Sequence, residues 1–258
     1  MIQLWQAIVL GIVQGITEWL PVSSSGHLVI LQQLFGNIEQ PVILDLFLHM
    51  GSLIVVFIVF FKEIKQLVLS FFIKEYKQYR KFVYYIVIGT IPTALIGFLF
   101  EDLFEKAFSS LLPVGIALII TGLLLFFCER FGKNKKINLK SALAIGAMQG
   151  LAIMPGISRS GSTIATALFF GTEKKEAVRF SFLLFIPAML GAIILQLKDM
   201  SVNSIEWLPI IVGTVFAIII GYASLKLLIL IVNKRRLKYF SYYCWIIGIV
   251  VTLLSFKF

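Results

Sequence analysis

The sequence predicts an all-α integral membrane protein made of two inverted-topology repeats, each a broken re-entrant helical hairpin followed by three transmembrane helices. Three observations carry this prediction. First, the 258 residues are 59% hydrophobic, with mean hydropathy +0.97, whereas soluble domains are nearer about 45–50% apolar. Second, several apolar runs reach the roughly 20 residues that a bilayer-crossing helix needs. Third, pieces of the first half recur in the second. Gly11-Ile12-Val13-Gln14-Gly15 matches Gly146-Ala147-Met148-Gln149-Gly150, Ser25-Gly26 matches Ser160-Gly161, and Gly36 matches Gly171, all 135 positions apart. Pro21 and Pro155 correspond with a one-residue slip. One membrane domain therefore holds repeat one over about 1–131 and repeat two over about 139–256.

Taken in order, residues 4–20 form an apolar stretch that ends at Pro21, and 23–35 form a second one opened by Ser23-Ser24-Ser25-Gly26. The second piece is too short to cross a bilayer as a helix, so the pair reads as a hairpin that enters and leaves on one face. Residues 42–61 are long enough to span. Residues 62–81 are a charged connector with a short amphipathic middle. Spans follow at 82–100, with Pro92 inside, and at 111–128. Residues 139–154 and 158–170 repeat the hairpin, and 179–197, 208–232 and 240–256 repeat the three spans. Gly11, Gly15, Gly146 and Gly150 allow helices to pack closely. Cys128 and Cys244 are small buried hydrophobes rather than a metal pair or a disulfide. Glu101, Asp102 and Lys226 are interfacial or snorkelling groups.

Each repeat crosses an odd number of times, so the second is upside down relative to the first. Loop charge orients the whole. Lys62, Lys65, Lys74, Lys77, Arg80 and Lys81 fall on one face with Arg130, Lys133, Lys135, Lys136 and Lys140, with Lys174, Lys175 and Arg179, and with Lys234, Arg235, Arg236 and Lys238. The other face holds only Lys106, Lys198 and Lys257. The positive-inside rule makes the crowded face cytoplasmic. The net charge of +10 is then loop charge facing the lipid bilayer, and nucleic acid is excluded as its partner. The first hairpin enters from outside and the second from the cytoplasm, so their tips can meet near the midplane.

The second hairpin turns at Pro155-Gly156-Ile157-Ser158-Arg159-Ser160-Gly161-Ser162-Thr163. A guanidinium at membrane depth is costly unless it faces a ligand or a wet cavity. Its planar fork suits phosphate oxygens, and Ser158, Ser160, Thr163 and helix N-terminal amides add donors. The first tip reads Gln14-Gly15-Ile16-Thr17-Glu18, then Pro21-Val22-Ser23-Ser24-Ser25-Gly26-His27. Gln14 and Glu18 share a helix face, being four apart. Glu18 suits a metal ligand or general base, and Ser24 and His27 are both candidate nucleophiles, with His27 also a proton carrier. Ser23 and Ser25 add hydroxyls for phosphate. Together these residues suit phosphoryl transfer, with a divalent cation on Glu18, and Gln14 a candidate second ligand, offsetting phosphate charge. Asp45 and His49 are a second i, i+4 polar pair in an apolar span, read as packing against the hairpins.

At these residues the chain resembles the bacterial undecaprenyl-diphosphate phosphatase family, also called the bacitracin-resistance protein family, over essentially its whole length. The family's [E/Q]xxxE stands at Gln14 to Glu18, followed by Pro21 to His27, and its PGxSRSxxT stands at Pro155 to Thr163. The resemblance implies a multi-pass enzyme of the bacterial plasma (inner) membrane. It hydrolyses undecaprenyl diphosphate to the monophosphate and inorganic phosphate, recycling the lipid carrier of cell-wall synthesis, and needs a divalent cation (Mg2+ or Ca2+). Its substrate is a polyprenyl diphosphate lipid, its site opens to the extracytoplasmic side, and a homodimer is a permitted assembly. The likeness makes Glu18, Ser24, His27, Ser158, Arg159, Ser160 and Thr163 functional positions. Gln14, in place of Glu, removes one carboxylate ligand.

A competing reading is a transporter or flippase for a phosphorylated lipid, since inverted repeats with broken helices are a common transporter plan. Phosphate release in detergent separates the two, because transport alone releases none. A phosphatase built on two catalytic histidines fits poorly: only His27 and His49 exist, and His49 lies in an apolar span.

Overall fold

The computed structural model describes residues 2–36, 41–131, 133–198, 206–234 and 236–256. Among them the chain is built from helices: α1 (Leu4–Thr17), α2 (Ser24–Phe35), α3 (Pro41–Val59), α4 (Phe61–Leu69), α5 (Arg80–Leu99), α6 (Glu101–Phe108), α7 (Leu111–Cys128), α8 (Leu139–Leu151), α9 (Arg159–Phe169), α10 (Lys174–Lys198), α11 (Trp207–Asn233) and α12 (Lys238–Leu254). A 3-10 helix at Lys74–Tyr79 leads into α5. Within each helix the interior backbone groups pair with one another, as a bilayer requires. Five stretches are long and apolar enough to cross a membrane: Val42–Val59, Lys74–Leu99, Leu111–Cys128, Lys174–Lys198 and Trp207–Asn233. The span expected at 240–256 is α12, whose 17 residues cover about 25 Å at a rise of about 1.5 Å each. That is less than the roughly 30 Å hydrocarbon core, and α12 is not among the five.

The connector 62–81 carries the expected amphipathic stretch as α4, followed by the 3-10 helix, whereas α6 forms where only interfacial charges were expected. Over eight residues, two turns give too few repeats of the 3.6-residue period to read. Glu101 and Asp102 occupy the exposed first turn of α6, where negative charge meets the positive end of the helix, and Phe104 and Ala107 are buried beneath it. Lys226 is exposed, its ammonium 4.3 Å from the Tyr222 ring centroid. Cys128 and Cys244 are buried free thiols.

The glycines set which helices pair. A Cβ on Gly15 of α1 would lie 2.9 Å from the Gly221 amide of α11, and Gly11 meets Gly213 on the same pair. On α8, Gly146 meets Gly89 of α5, and Gly150 lies against Ile96. Gly115 and Gly248 join α7 to α12 in the same manner, a Cβ on Gly248 coming within 2.8 Å of the Gly115 carbonyl oxygen. Gly15→Val should therefore cost roughly 1–3 kcal/mol, since backbone must move to admit the side chain. Gly191→Ala is the control, because its Cβ would meet nothing within 4 Å. The check is the thermal unfolding midpoint in detergent, lowered by the first substitution and not by the second.

The cationic stretches gather at one end of the bundle. The Arg179 guanidinium lies 5.4 Å from the Tyr79 ring centroid and 4.7 Å from that of Phe82. The Lys133 and Lys135 amides donate to the Gly171 carbonyl, and the Leu237 amide donates to the Glu129 carboxylate at 2.8 Å. These contacts tie together the connectors that carry the basic groups. Arg235 and Lys257 lie outside the described residues.

Candidate active site

The two broken hairpins meet tip to tip, because each tip ends in a helix whose first amides need acceptors. Ser23 caps α2, its Oγ accepting from the Gly26 amide at 3.3 Å, and the same Oγ accepts from the Gly156 amide of the other tip at 3.0 Å. Ser158 caps α9 through the Gly161 amide at 3.2 Å. The Ser160 hydroxyl donates to the Trp19 carbonyl at 3.1 Å. Glycine is needed where the tips touch: a Cβ on Gly26 would stand 3.1 Å from Gly156 Cα, and Gly156 itself has φ +98°. Helix α7 braces the second tip, with Thr121 Oγ1 donating to the Gly156 carbonyl at 2.9 Å and accepting from the Ser158 amide at 3.0 Å.

This junction puts acid, hydroxyl and guanidinium in direct contact. Arg159 Nη2 donates to Glu18 Oε1 at 2.5 Å, and Ser24 Oγ donates to Glu18 Oε2 at 2.5 Å. Gln14 Nε2 reaches the same Oε2 at 3.2 Å and also Ser52 Oγ at 3.3 Å. The guanidinium stacks over the Phe185 ring at 3.8 Å from its centroid, so an aromatic wall excludes water from one side of the pair. Arg159 Nη1 is buried with no hydrogen-bond partner, as is Gln14 Oε1. An orphan donor and an orphan acceptor of this kind cost free energy unless a ligand meets them. A cavity of about 660 Å³ opens over the cluster, lined by Glu18, Ser23, Ser24, Ser25, Ser158 and Arg159 on its polar side. Leu46, Phe108, Ile153 and Met189 are among the apolar residues that complete its wall.

The family described as bacitracin resistance protein BacA matches residues 7–250. The chain belongs to that family. It is 44% identical to an undecaprenyl-diphosphatase of Halothermothrix orenii over 98% of both chains, and 44% identical to one of Carboxydothermus hydrogenoformans over 97% of both. It is 41% identical to an undecaprenyl-diphosphatase of Methanosphaera stadtmanae over 99% of both. The tip-to-tip junction is thus the centre of a BacA-family fold, in a multi-pass membrane protein.

In this BacA-family member, the remaining residues singled out in the sequence divide by where they point. Ser160 and Thr163 lie off the cavity wall and make structural bonds, Thr163 Oγ1 donating to the Arg159 carbonyl at 2.7 Å and meeting Ser181 Oγ at 2.5 Å. His27 also lies off the cavity wall. Its Nδ1 bonds the Ser23 carbonyl at 2.7 Å and its Nε2 bonds the Tyr243 hydroxyl at 2.7 Å. His49, placed in an apolar span far from the arginine motif by sequence alone, is instead at the site, its Nε2 3.9 Å from Glu18 Oε2. Asp45 lines the cavity too and accepts from Gln32 Nε2 at 2.9 and 3.0 Å. The signal that finds them is a polar stripe at i, i+4 and i+7, Asp45-His49-Ser52, on an otherwise apolar helix.

Proposed function

We infer that this chain hydrolyses undecaprenyl diphosphate to undecaprenyl phosphate and inorganic phosphate, as its relatives' names say of them, and so returns the lipid carrier to cell-wall synthesis. The observation that carries this reading is the Glu18 carboxylate, held between Arg159 on one oxygen and Ser24 on the other at the wall of the cavity. Arg159 has an unpartnered donor, Nη1, for the diphosphate, and Ser158 and Ser25 add hydroxyls on the same wall. The apolar wall accepts the first isoprenoid units, a mixed lining usual for small-molecule sites.

Ser24 is the nucleophile in this reading, and Glu18 its base. Ser24 Oγ attacks the terminal phosphorus, its proton passes to Glu18, and the bond from that phosphorus to the bridging oxygen breaks. The lipid monophosphate leaves with the bond electrons as a stable anion. Glu18 gives that proton up to the departing lipid phosphate and then takes one from water, which attacks the phosphoserine; the bond from phosphorus to Ser24 Oγ breaks, inorganic phosphate leaves, and Ser24 recovers its proton from Glu18. Arg159 holds the phosphate charge in both steps through Nη1 while Nη2 stays on Glu18. His27 has no direct step, since both its nitrogens are engaged off the cavity.

The residues present fit a divalent cation, Mg2+ or Ca2+. Glu18 and the orphan Gln14 Oε1 would hold it, with substrate oxygens completing the shell, because no group of three or more His, Cys, Asp or Glu stands ready among the described residues. Bound there, it would neutralise phosphate charge. Chelation should accordingly abolish phosphate release, and the added cation should restore it.

The inverted arrangement belongs to this reading. It is supported by the α1–α11 glycine contact recurring as α8–α5 at the corresponding residues, Gly11 and Gly146. The clustered basic connectors favour a cytoplasmic end, so the first hairpin and the cavity mouth near α6 open to the extracytoplasmic side of the plasma membrane. Exposed apolar faces such as that of α5 meet lipid and leave room for a homodimer. The test is purified protein in detergent with undecaprenyl diphosphate: stoichiometric phosphate release is expected, and none would favour a transporter or flippase.

A further inference from the structure

We propose that His27 acts as a positioning residue, locked by Tyr243 of α12, which holds the Ser23 peptide so that Ser24 is aimed at Glu18 and the cavity. The inference deepens the phosphatase reading and rests on it for its kinetic arm.

The argument starts from backbone strain. Ser23 has φ +70° and ψ 101°, and it is the one non-glycine residue with positive φ among those described. Such a conformation is strained and persists only where neighbours over-determine it. Here four contacts do so. Ser23 Oγ accepts from the Gly26 and Gly156 amides. The Ser23 carbonyl accepts from the His27 amide at 3.3 Å and from His27 Nδ1 at 2.7 Å. A carbonyl oxygen only accepts, so Nδ1 carries the proton. In the neutral ring Nε2 then holds a lone pair, which takes the Tyr243 hydroxyl proton at 2.7 Å. The two rings stack at 5.7 Å between centroids and 10° between planes.

With both nitrogens engaged, the imidazole bridges α12 to the one strained peptide in front of α2. The next residue is Ser24, whose Oγ sits 2.5 Å from Glu18 Oε2. Loosening the Ser23 peptide turns that hydroxyl away without touching the acid, the guanidinium or the cavity.

The decisive substitution is His27→Asn. The asparagine amide nitrogen stands about where Nδ1 does, so it can donate to the Ser23 carbonyl, yet it neither titrates nor reaches Tyr243. Turnover of undecaprenyl diphosphate in detergent should fall about 100-fold in kcat for His27→Ala, with KM changed less than about twofold, since loss of orientation acts on the chemical step. His27→Asn should recover most of that and remain within about tenfold of the parent, the worth of the one hydrogen bond to Tyr243 that it lacks. Tyr243→Phe should cost about the same tenfold in the parent and nothing further in the His27→Asn background. A folded His27→Asn protein as inactive as His27→Ala would overturn the proposal in favour of proton transfer or attack by the ring itself.

A second readout stands apart from turnover. The chain has two histidines, so nitrogen-15 histidine spectra at alkaline pH resolve them, with His49→Gln giving the assignment. His27 should show a protonated Nδ1 and an unprotonated Nε2, and Tyr243→Phe should move the Nε2 resonance of His27. A proton on Nε2 sinks the proposal even if the enzyme turns over. A protein that shows the expected resonances yet releases no phosphate leaves the ring geometry standing and removes the phosphatase reading.

Discussion

Arg159→Ala is expected to lower kcat/KM for phosphate release by about 10³-fold or more, equivalent to roughly 4 kcal/mol of transition-state stabilisation. The charge that develops on the terminal phosphoryl group meets only one guanidinium among the described residues lining the cavity, and it is the one with an unpartnered buried donor. Arg159→Lys should recover little. An ammonium restores the charge but not the planar fork that can bind Glu18 and phosphate through different nitrogens, nor the face that stacks on Phe185. The alanine variant will also be less stable, because truncating one partner strands the Glu18 carboxylate in a buried site, a loss of about 3–5 kcal/mol in comparable pairs. Adding Glu18→Gln to Arg159→Ala removes the stranded charge. That double variant should regain much of the lost unfolding midpoint while its turnover stays at background. Parental turnover by a folded Arg159→Ala single variant would show that Arg159 serves the fold and not the substrate.

Ser24→Ala carries the second large effect. A drop in kcat of at least about 10³-fold is expected, with KM little changed, since the hydroxyl makes its decisive bond only during reaction. Ser23→Ala and Ser25→Ala sort differently. Ser23 holds the two tips together, so its loss should show first as a lower unfolding midpoint. Ser25 offers a hydroxyl on the cavity wall, so its loss should raise KM. The covalent step gives an independent check: acid quenching during turnover of labelled substrate should leave phosphate on Ser24, and mapping the label to another residue would reject Ser24 as nucleophile.

Much of this molecule is legible without coordinates because the membrane imposes strong local rules. Lipid accepts no unpaired backbone, so long apolar runs must be helices, and interruptions by Pro21 and by Pro155-Gly156 must be buried tips rather than exposed loops. The two Gly-x-x-Gln-Gly stretches mark α1 and α8 as closely packed helices because close approach of two backbones requires glycine at the contact, as Gly146 shows against Gly89. Arg159 announces itself by its cost alone. The short amphipathic helix α6 escaped notice since two turns carry too little periodicity, and its mouth-lining residues Glu105 and Phe108 went with it.

What the sequence determined by itself was therefore the long helices and the meeting of Glu18 with Arg159 across the two tips, with Ser24 and His27 both left as partners of the acid, because those follow from hydropathy, from helix-breaking residues and from a motif whose charge must be answered. What only the tertiary structure decided was the direction in which each remaining polar side chain points. His27 follows Ser24 by three residues yet turns to Tyr243, while His49, in an apolar span, turns to Glu18. Local pattern places a residue on a helix, but the neighbour that each face meets depends on how α12 and α3 pack against the hairpin, and that is settled by contacts between segments remote in the chain.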